Sequence, residues 1–150
     1  MGSFLIAHLQ GGVNMNPADV ARLWVGISRY DFLEEHCYPP EVVNCYTLVA
    51  WAYGQCEIWI PQTLLGQLYA GTLAVGDYAQ GTCLVFTKGN WGKGGYFDSQ
   101  RAVKGVGHVG IVSSQGTVIH TSSSARTVVE EPLERFLGDS SMFRGIYRIR

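Results

Sequence analysis

The sequence carries little charge, and it has no long run of either basic or apolar residues. Only 15% of its 150 residues are charged, and the formal net charge is -1 at pH 7. Without a cluster of lysine and arginine, the charge pattern does not favour a nucleic-acid or membrane-surface partner. No apolar stretch approaches the roughly 20 residues that a membrane-spanning helix needs. We therefore expect no nucleic-acid partner and no membrane span.

The sequence also lacks paired cysteines and an evident export signal. The apolar stretch after Met1 is short and has no basic start, so the default expectation is a cytoplasmic protein, with export left open. The four cysteines, Cys37, Cys45, Cys56 and Cys83, form no CxxC pair. We expect them to be reduced thiols, and their spacing does not favour a metal site. No cofactor is expected.

What the chain does have is the length and apolar content of a single domain, expected over residues 1–150. Of its residues, 47% are hydrophobic. Helices are predicted from Pro17 to about Ile27, from Cys45 after an Asn44 cap, and from Pro61 to Tyr69. Strands are predicted at Thr82–Thr87, His108–Ser113, Thr117–Thr121, Val128–Val129 and Phe143–Ile149. Because the helices come first and an antiparallel sheet follows, the fold class is α+β.

Two further segments carry no firm chemistry. The glycine-rich stretch Lys88–Gly107 leads into His108, and it is either a flexible lid or a plain surface loop. Glu130 and Glu131 are adjacent on a predicted strand, so their side chains point apart. We expect both carboxylates to be solvated, and they do not form the facing acid pair of a glycosidase.

Cys45 stands at the predicted start of a helix, directly after Asn44. A helix N-terminus carries partial positive charge and unpaired N–H groups, which lower the pKa of a thiol and stabilise a developing oxyanion. This position therefore predicts a nucleophile. The alternative is a small buried apolar residue, which is the commoner role of a lone cysteine on an apolar helix face.

His108 and His120 are twelve residues apart, on the two strands of a predicted hairpin. A three-residue loop, Ser114–Gly116, with Gly116 in the left-handed conformation, pairs Gly110 with His120. The two histidines are then diagonal neighbours on one face, roughly 7–8 Å apart at the backbone. A two-residue loop places them on opposite faces. The first register predicts that His108 is a base oriented by His120; the alternative is two strand histidines without a common task.

Five segments resemble the NlpC/P60 family of papain-like cysteine peptidases, in the same order along the chain from about Val25 to Arg150. The segments are NCYTLVAWAY (44–53), GTCLVF (81–86), GHVGIV (107–112), VIHTSS (118–123) and FRGIYRI (143–149). The resemblance implies the papain-like NlpC/P60 fold, in which N-terminal helices pack on a central antiparallel β-sheet.

The resemblance also implies roles for individual residues. It makes Cys45 the nucleophile, His108 the base and His120 the residue that orients it, and Tyr30 resembles an upstream tyrosine of the site. Asn44 and Tyr46 stand where the family has Asp and Ser, at positions that lie against the substrate. The first replacement removes a negative charge that would pair with a free amine, and the second adds bulk.

The function that the resemblance implies is a cysteine hydrolase that cleaves amide bonds in murein peptides of the γ-D-glutamyl kind. The partner is then a peptide or a murein fragment, and release of the protein as a lysin is one route to it. Two alternatives remain: an amidase or acyltransferase with a different substrate, and a binding module without activity. The sequence does not predict an oligomeric state.

Overall fold

The computed structural model describes residues 15–74, 83–88 and 105–149. Helices are α1 Pro17–Arg22, α2 Cys45–Gln55, α3 Leu64–Ala70 and α4 Leu133–Leu137. Strands are β1 Arg29–Tyr30, β2 Val42–Val43, β3 Thr72–Leu73, β4 Cys83–Thr87, β5 His108–Val112, β6 Thr117–Ser122, β7 Thr127–Pro132 and β8 Phe143–Arg148. Short 3-10 turns cover Glu34–His36 and Ser140–Met142. Most of the glycine-rich segment predicted as a lid or loop, residues 89–104, lies outside the described residues.

The strands form one mixed sheet in the order β2-β1-β7-β6-β5-β4-β8-β3. The α+β class is confirmed, but the sheet is not antiparallel throughout as predicted, because β1 and β2 run parallel. The connection between them, residues 31–41, contains the 3-10 turn and carries the chain back before β2 begins. The predicted irregular stretch before Asn44 therefore holds two short strands.

The first helix begins as predicted but ends earlier. Asn16 accepts a hydrogen bond from the Asp19 N–H at 2.9 Å, and Asp19 accepts one from the Asn16 N–H at 3.2 Å. The helix stops at Arg22, and Ile27, predicted on its apolar face, is 66% exposed. The helix ends early because the chain turns at Gly26, which has a φ of +78°. The Gly26 N–H donates a hydrogen bond to the Val128 carbonyl. The chain therefore leaves the helix to join the sheet.

Helices α1 to α3 and one face of the sheet share the main buried cluster. Its members include Ala18, Val20, Leu48, Val49, Leu64, Leu84, Phe86, Val109, Ile111 and Ile119. A second cluster on the other face contains Cys83, Val85, Val112, Val118 and Ile146. Alternate residues of a strand enter opposite clusters, as the two-residue period requires. Since α2 lies against β5 and β6, the first residue of α2 comes close to the start of β5.

None of the helices in the described ranges has the length and apolar content that a bilayer crossing needs.

Candidate active site

The hairpin of β5 and β6 has the predicted register. Ile111 pairs with Ile119 and Val112 with Val118, and the Ser113 N–H donates to the Thr117 carbonyl at 2.8 Å. Gly116 has φ +77°, the left-handed conformation that a three-residue loop with a glycine bulge requires. The prediction of this turn is confirmed, and it determines which face each histidine occupies.

Both histidines lie on one face of this hairpin and contact each other. His108 Nε2 is 3.0 Å from His120 Nδ1, and the ring centroids are 5.1 Å apart with the planes nearly perpendicular. Gly110 makes room for this arrangement, since a Cβ placed there would lie 3.1 Å from the His120 Cβ. The structure therefore brings together the predicted base and the predicted orienting residue.

Glu131 holds the other side of the His120 ring. Its Oε2 lies 2.6 Å from His120 Nε2, and the Thr121 carbonyl oxygen lies 2.9 Å from His120 Nδ1. The His120 side chain is almost fully buried, so its ring is fixed by these contacts. Both ring nitrogens of His120 thus have protein partners.

The expectation of two solvated carboxylates at Glu130 and Glu131 is wrong, although the side chains do point apart as predicted. Glu130 pairs with Arg22 through two contacts of 2.9 and 3.0 Å and accepts a hydrogen bond from the Thr117 hydroxyl. Sequence reasoning missed Glu131 because it treated β7 alone. The alternation of side chains along β7 could have identified it. Val129 pairs with His120, and Glu131, two residues further along β7, lies on the same face of the sheet as both.

Phe136 of α4 covers the histidine pair. Its ring centroid lies 5.7 Å from that of His108 and 4.6 Å from that of His120. No sequence pattern indicated this residue, since the short helix after β7 has no helix-start signal. Phe136 removes water from one side of both imidazoles and so contributes to their low polarity environment.

Cys45 is the first residue of α2, at the predicted helix start. Asn44 accepts from the Thr47 N–H at 2.9 Å, and the Thr47 hydroxyl accepts from the Asn44 N–H at 2.8 Å, which forms a capping box. Asn44, which departs from the family pattern, therefore builds the start of this helix together with Thr47. The Cys45 side chain is buried and packs in the main cluster.

The structure corrects the expectation of a lowered thiol pKa at Cys45. Burial raises the pKa of Cys45 to about 12, although the nearby backbone N–H groups of Val109, Tyr46 and Cys45 itself act in the opposite direction. The helix-start effect is present, but desolvation outweighs it. Since Val109 directly follows His108, the sulfur lies beside the start of β5.

Burial also lowers the pKa of His108, to about 3, and the neighbouring His120 adds to this effect. The thiol and the imidazole are consequently both neutral near neutral pH. Cys45 and His108 therefore do not form a thiolate–imidazolium pair at rest.

The candidate site opens into a cavity of about 240 Å³. Its walls include all six residues singled out from the sequence, Tyr30, Asn44, Cys45, Tyr46, His108 and His120. They also include residues that the sequence analysis did not propose, among them Glu131, Arg135, Phe136 and the serines 122–124. The structure thus places Cys45, the histidine pair and the cavity together.

The three other predicted site residues differ in what they offer. Asn44 uses its side-chain oxygen for Thr47, and its amide donates to the Phe32 carbonyl at 3.3 Å. The Tyr46 hydroxyl donates to Glu34 at 3.2 Å. Tyr30 lies half-buried on β1. Asn44 and Tyr46 therefore line the cavity while their polar groups bond to protein.

Within the described ranges, no three His, Cys, Asp or Glu side chains come together as metal ligands.

Comparison with solved structures shows the fold. NlpC1 from Trichomonas vaginalis matches with a TM-score of 0.67 and 21% identity, over 89% of this chain and 42% of that chain. The NlpC/P60 domain of the peptidoglycan hydrolase SagA matches with a TM-score of 0.57 and 20% identity, over 85% of this chain and 91% of that one. The chain has the NlpC/P60 fold. The sequence resemblance is thus confirmed at the level of the fold.

Comparison of sequences adds a curated relative of this NlpC/P60-fold chain. A probable endopeptidase, Cgl2188, from Corynebacterium glutamicum is 32% identical over 96 residues, which are 63% of this chain. The match spans 38% of that relative's length. No protein-family model matches the chain.

Proposed function

We propose that this NlpC/P60-fold chain is a cysteine amidase in which Cys45 is the nucleophile, His108 the base and His120 the residue that orients the base. The observation that carries the proposal is the 3.0 Å contact between His108 Nε2 and His120 Nδ1, in the cavity that Cys45 also lines. This contact leaves His108 Nδ1 as the ring nitrogen for proton exchange with the thiol.

The reaction follows from a neutral pair. Cys45 Sγ attacks the carbonyl carbon of an amide while its proton moves to His108 Nδ1. His108 then delivers that proton to the leaving amine, which leaves a thioester on Cys45. A water molecule gives a proton to His108 while its oxygen attacks the thioester. The carbon–sulfur bond then breaks, the acid is released, and His108 returns the proton to the Cys45 sulfur.

The N–H groups that act on the Cys45 sulfur support the same mechanism. Those of Cys45 and Tyr46 stand at the N-terminus of α2, and that of Val109 lies on β5. Donors of this kind stabilise the negative oxygen that forms during attack, and removing one such donor in other enzymes costs about 10²–10³ in kcat. The helix start therefore contributes to the transition state rather than to an ionised resting thiol.

The substrate that we propose first is a murein peptide of the γ-D-glutamyl kind. The sequence resemblance supports it, as do the named peptidoglycan hydrolase among the solved structures and the probable endopeptidase among the relatives. Where the protein meets this substrate, in the cytoplasm or after export, stays a prediction.

A second candidate is an amidase or acyltransferase with a different substrate. It is favoured by Asn44 and Tyr46, because both polar side chains bond within the protein. A substrate amine finds neither a carboxylate at position 44 nor a small hydroxyl at position 46. We expect murein peptides with a blocked amine to be processed at least as well as those with a free amine.

The deciding experiment incubates the protein with a panel of murein peptides, with free and acetylated amines, and identifies the products by mass spectrometry. Cys45→Ala is the control and should abolish turnover while the unfolding temperature stays close to that of the wild type. Full activity in Cys45→Ala would exclude the mechanism. No product from any amide would favour the inactive binding module; alkylation rates do not discriminate, because a neutral buried thiol reacts slowly in both cases.

A further inference from the structure

The His120 ring has more hydrogen-bond partners than one arrangement of protons can satisfy. His120 Nδ1 lies 3.0 Å from His108 Nε2 and 2.9 Å from the Thr121 carbonyl oxygen. A neutral imidazole has one N–H and one acceptor nitrogen. The position of that single proton therefore decides whether Nδ1 accepts from His108 or donates to a neighbour.

The two tautomers of His120 have opposite consequences for His108. When His120 carries its proton on Nε2, its Nδ1 accepts the Nε2–H of His108, and His108 Nδ1 is an unprotonated base. When His120 carries its proton on Nδ1, it donates to His108 Nε2 or to the Thr121 carbonyl. His120 Nδ1–H can donate to His108 Nε2 only when that nitrogen carries no proton. The proton of a neutral His108 is then on Nδ1, which cannot accept a proton from Cys45.

Glu131 lies beside His120 Nε2, the nitrogen whose proton distinguishes the two tautomers. Its Oε2 is 2.6 Å from His120 Nε2, and an ionised carboxylate only accepts hydrogen bonds. We propose that Glu131 is a positioning residue that keeps the His120 proton on Nε2 and so makes His108 Nδ1 the base for Cys45. The inference rests on the proposed function and adds a fourth member to the Cys45–His108–His120 arrangement.

The backbone supports this assignment. Glu131 is placed by β7 pairing, two residues beyond the partner of His120, and its side chain lines the same cavity. Without the carboxylate, the Thr121 carbonyl is the fixed acceptor that remains beside the ring, and it draws the proton to Nδ1. Removal of Glu131 is thus expected to reverse the tautomer rather than merely loosen the ring.

The test reads the tautomer and the rate separately, in Glu131→Ala and Glu131→Gln. Glutamine presents an amide oxygen that still accepts from Nε2–H, so it should retain the tautomer, whereas alanine should lose it. The matched control is Glu130→Gln, which removes an equal charge one residue away, where the carboxylate contacts Arg22. Unfolding temperatures of all variants identify any that fail to fold.

We expect ¹⁵N spectra of histidine-labelled protein to show a protonated Nε2 and an unprotonated Nδ1 at His120 in the wild type and in Glu131→Gln. In Glu131→Ala the two signals should exchange character. For the same variant, kcat should fall by about 100-fold or more with little change in KM, because the general base is lost. Glu130→Gln should keep the wild-type kcat.

The pH profile of kcat distinguishes a positioning role of Glu131 from a merely structural role, which would leave the profile unchanged. The contact with Glu131 raises the pKa of His120, against the lowering by burial. The acid limb of kcat in Glu131→Gln should therefore move to lower pH.

A wild-type His120 with its proton on Nδ1, or an unchanged tautomer and kcat in folded Glu131→Ala, would overturn the inference. The spectra need no substrate, so a chain without turnover refutes the proposed function and still leaves the tautomer result decisive.

Discussion

Substitution of Gly110 by alanine tests the packing that holds the histidine pair together. A Cβ at this position would lie 2.5 Å from Val118 Cγ1, 3.1 Å from the His120 Cβ and 3.3 Å from the Ile119 carbonyl oxygen. Favourable contacts between carbon atoms lie at about 3.5–4.0 Å, so Val118 must retreat by about 1 Å. All three neighbours belong to β6, so we expect this strand to be displaced from β5.

We expect the displacement to lower both the free energy of unfolding and the catalytic efficiency, kcat/KM. Overpacking of this kind costs about 1–3 kcal/mol, which lowers the unfolding temperature of a chain of this length by roughly 2–12 °C. The 3.0 Å contact between His108 and His120 opens as the strands separate. A misplacement of about 1 Å at a catalytic group costs on the order of 100-fold in rate, so we expect a loss of that size in kcat/KM.

Thermal unfolding by circular dichroism and hydrolysis of the best murein peptide measure the two effects. Gly54→Ala is the matched control, because a Cβ there meets nothing within 4 Å and the residue lies inside α2. It should gain up to about 1 kcal/mol of stability and keep full activity. If Gly110→Ala had the stability and kcat/KM of the wild type, the close packing of β5 on β6 would not be what aligns the histidines.

Two further predictions concern pH. Phe136→Ala should admit water to His108 and His120 and so raise both pKa values toward the ordinary 6.5. The acid limb of the pH–rate profile should therefore move to higher pH. An acid limb at the wild-type pH would argue against shielding by this ring. The hydrogen bond from Arg22 is the main reason why the pKa of Glu130 lies below the ordinary 4.5. The ionised carboxylate therefore stabilises the folded state above pH 4.5, and this stabilisation is lost as the pH falls through the lowered pKa. Urea unfolding should therefore show Glu130→Gln less stable than the wild type near neutral pH and equal to it in acid; an equal deficit at both would contradict the ion pair.

The local parts of the site follow from the sequence because short-range rules govern them. The start of α2 needs only Asn44 and Thr47, three residues apart, and the hairpin register needs only the Ser114–Gly116 loop. Both predictions were made from neighbouring residues, and both are confirmed. The hairpin register alone is enough to bring His108 and His120 to one face.

The parts that were missed depend on how whole elements pair and pack. Glu131 is as near to His120 along the chain as His108 is, but it meets His120 only because β7 pairs with β6. Phe136 reaches the histidines only because α4 folds over them. The raised pKa of Cys45 has the same origin, since burial is a property of the assembled core. A helix-start argument includes the N–H groups at the first turn of α2 but not the loss of water around the sulfur.

The two outermost strands of the sheet are each two residues long, Val42–Val43 at one end and Thr72–Leu73 at the other. An exposed sheet edge is a template on which another chain can add a strand, and the strength of that attachment grows with the number of unpaired backbone groups. Edges this short offer a foreign strand only a few hydrogen bonds. Within the described residues, the architecture that brings the histidines together in the middle of the sheet thus also protects its borders against aggregation.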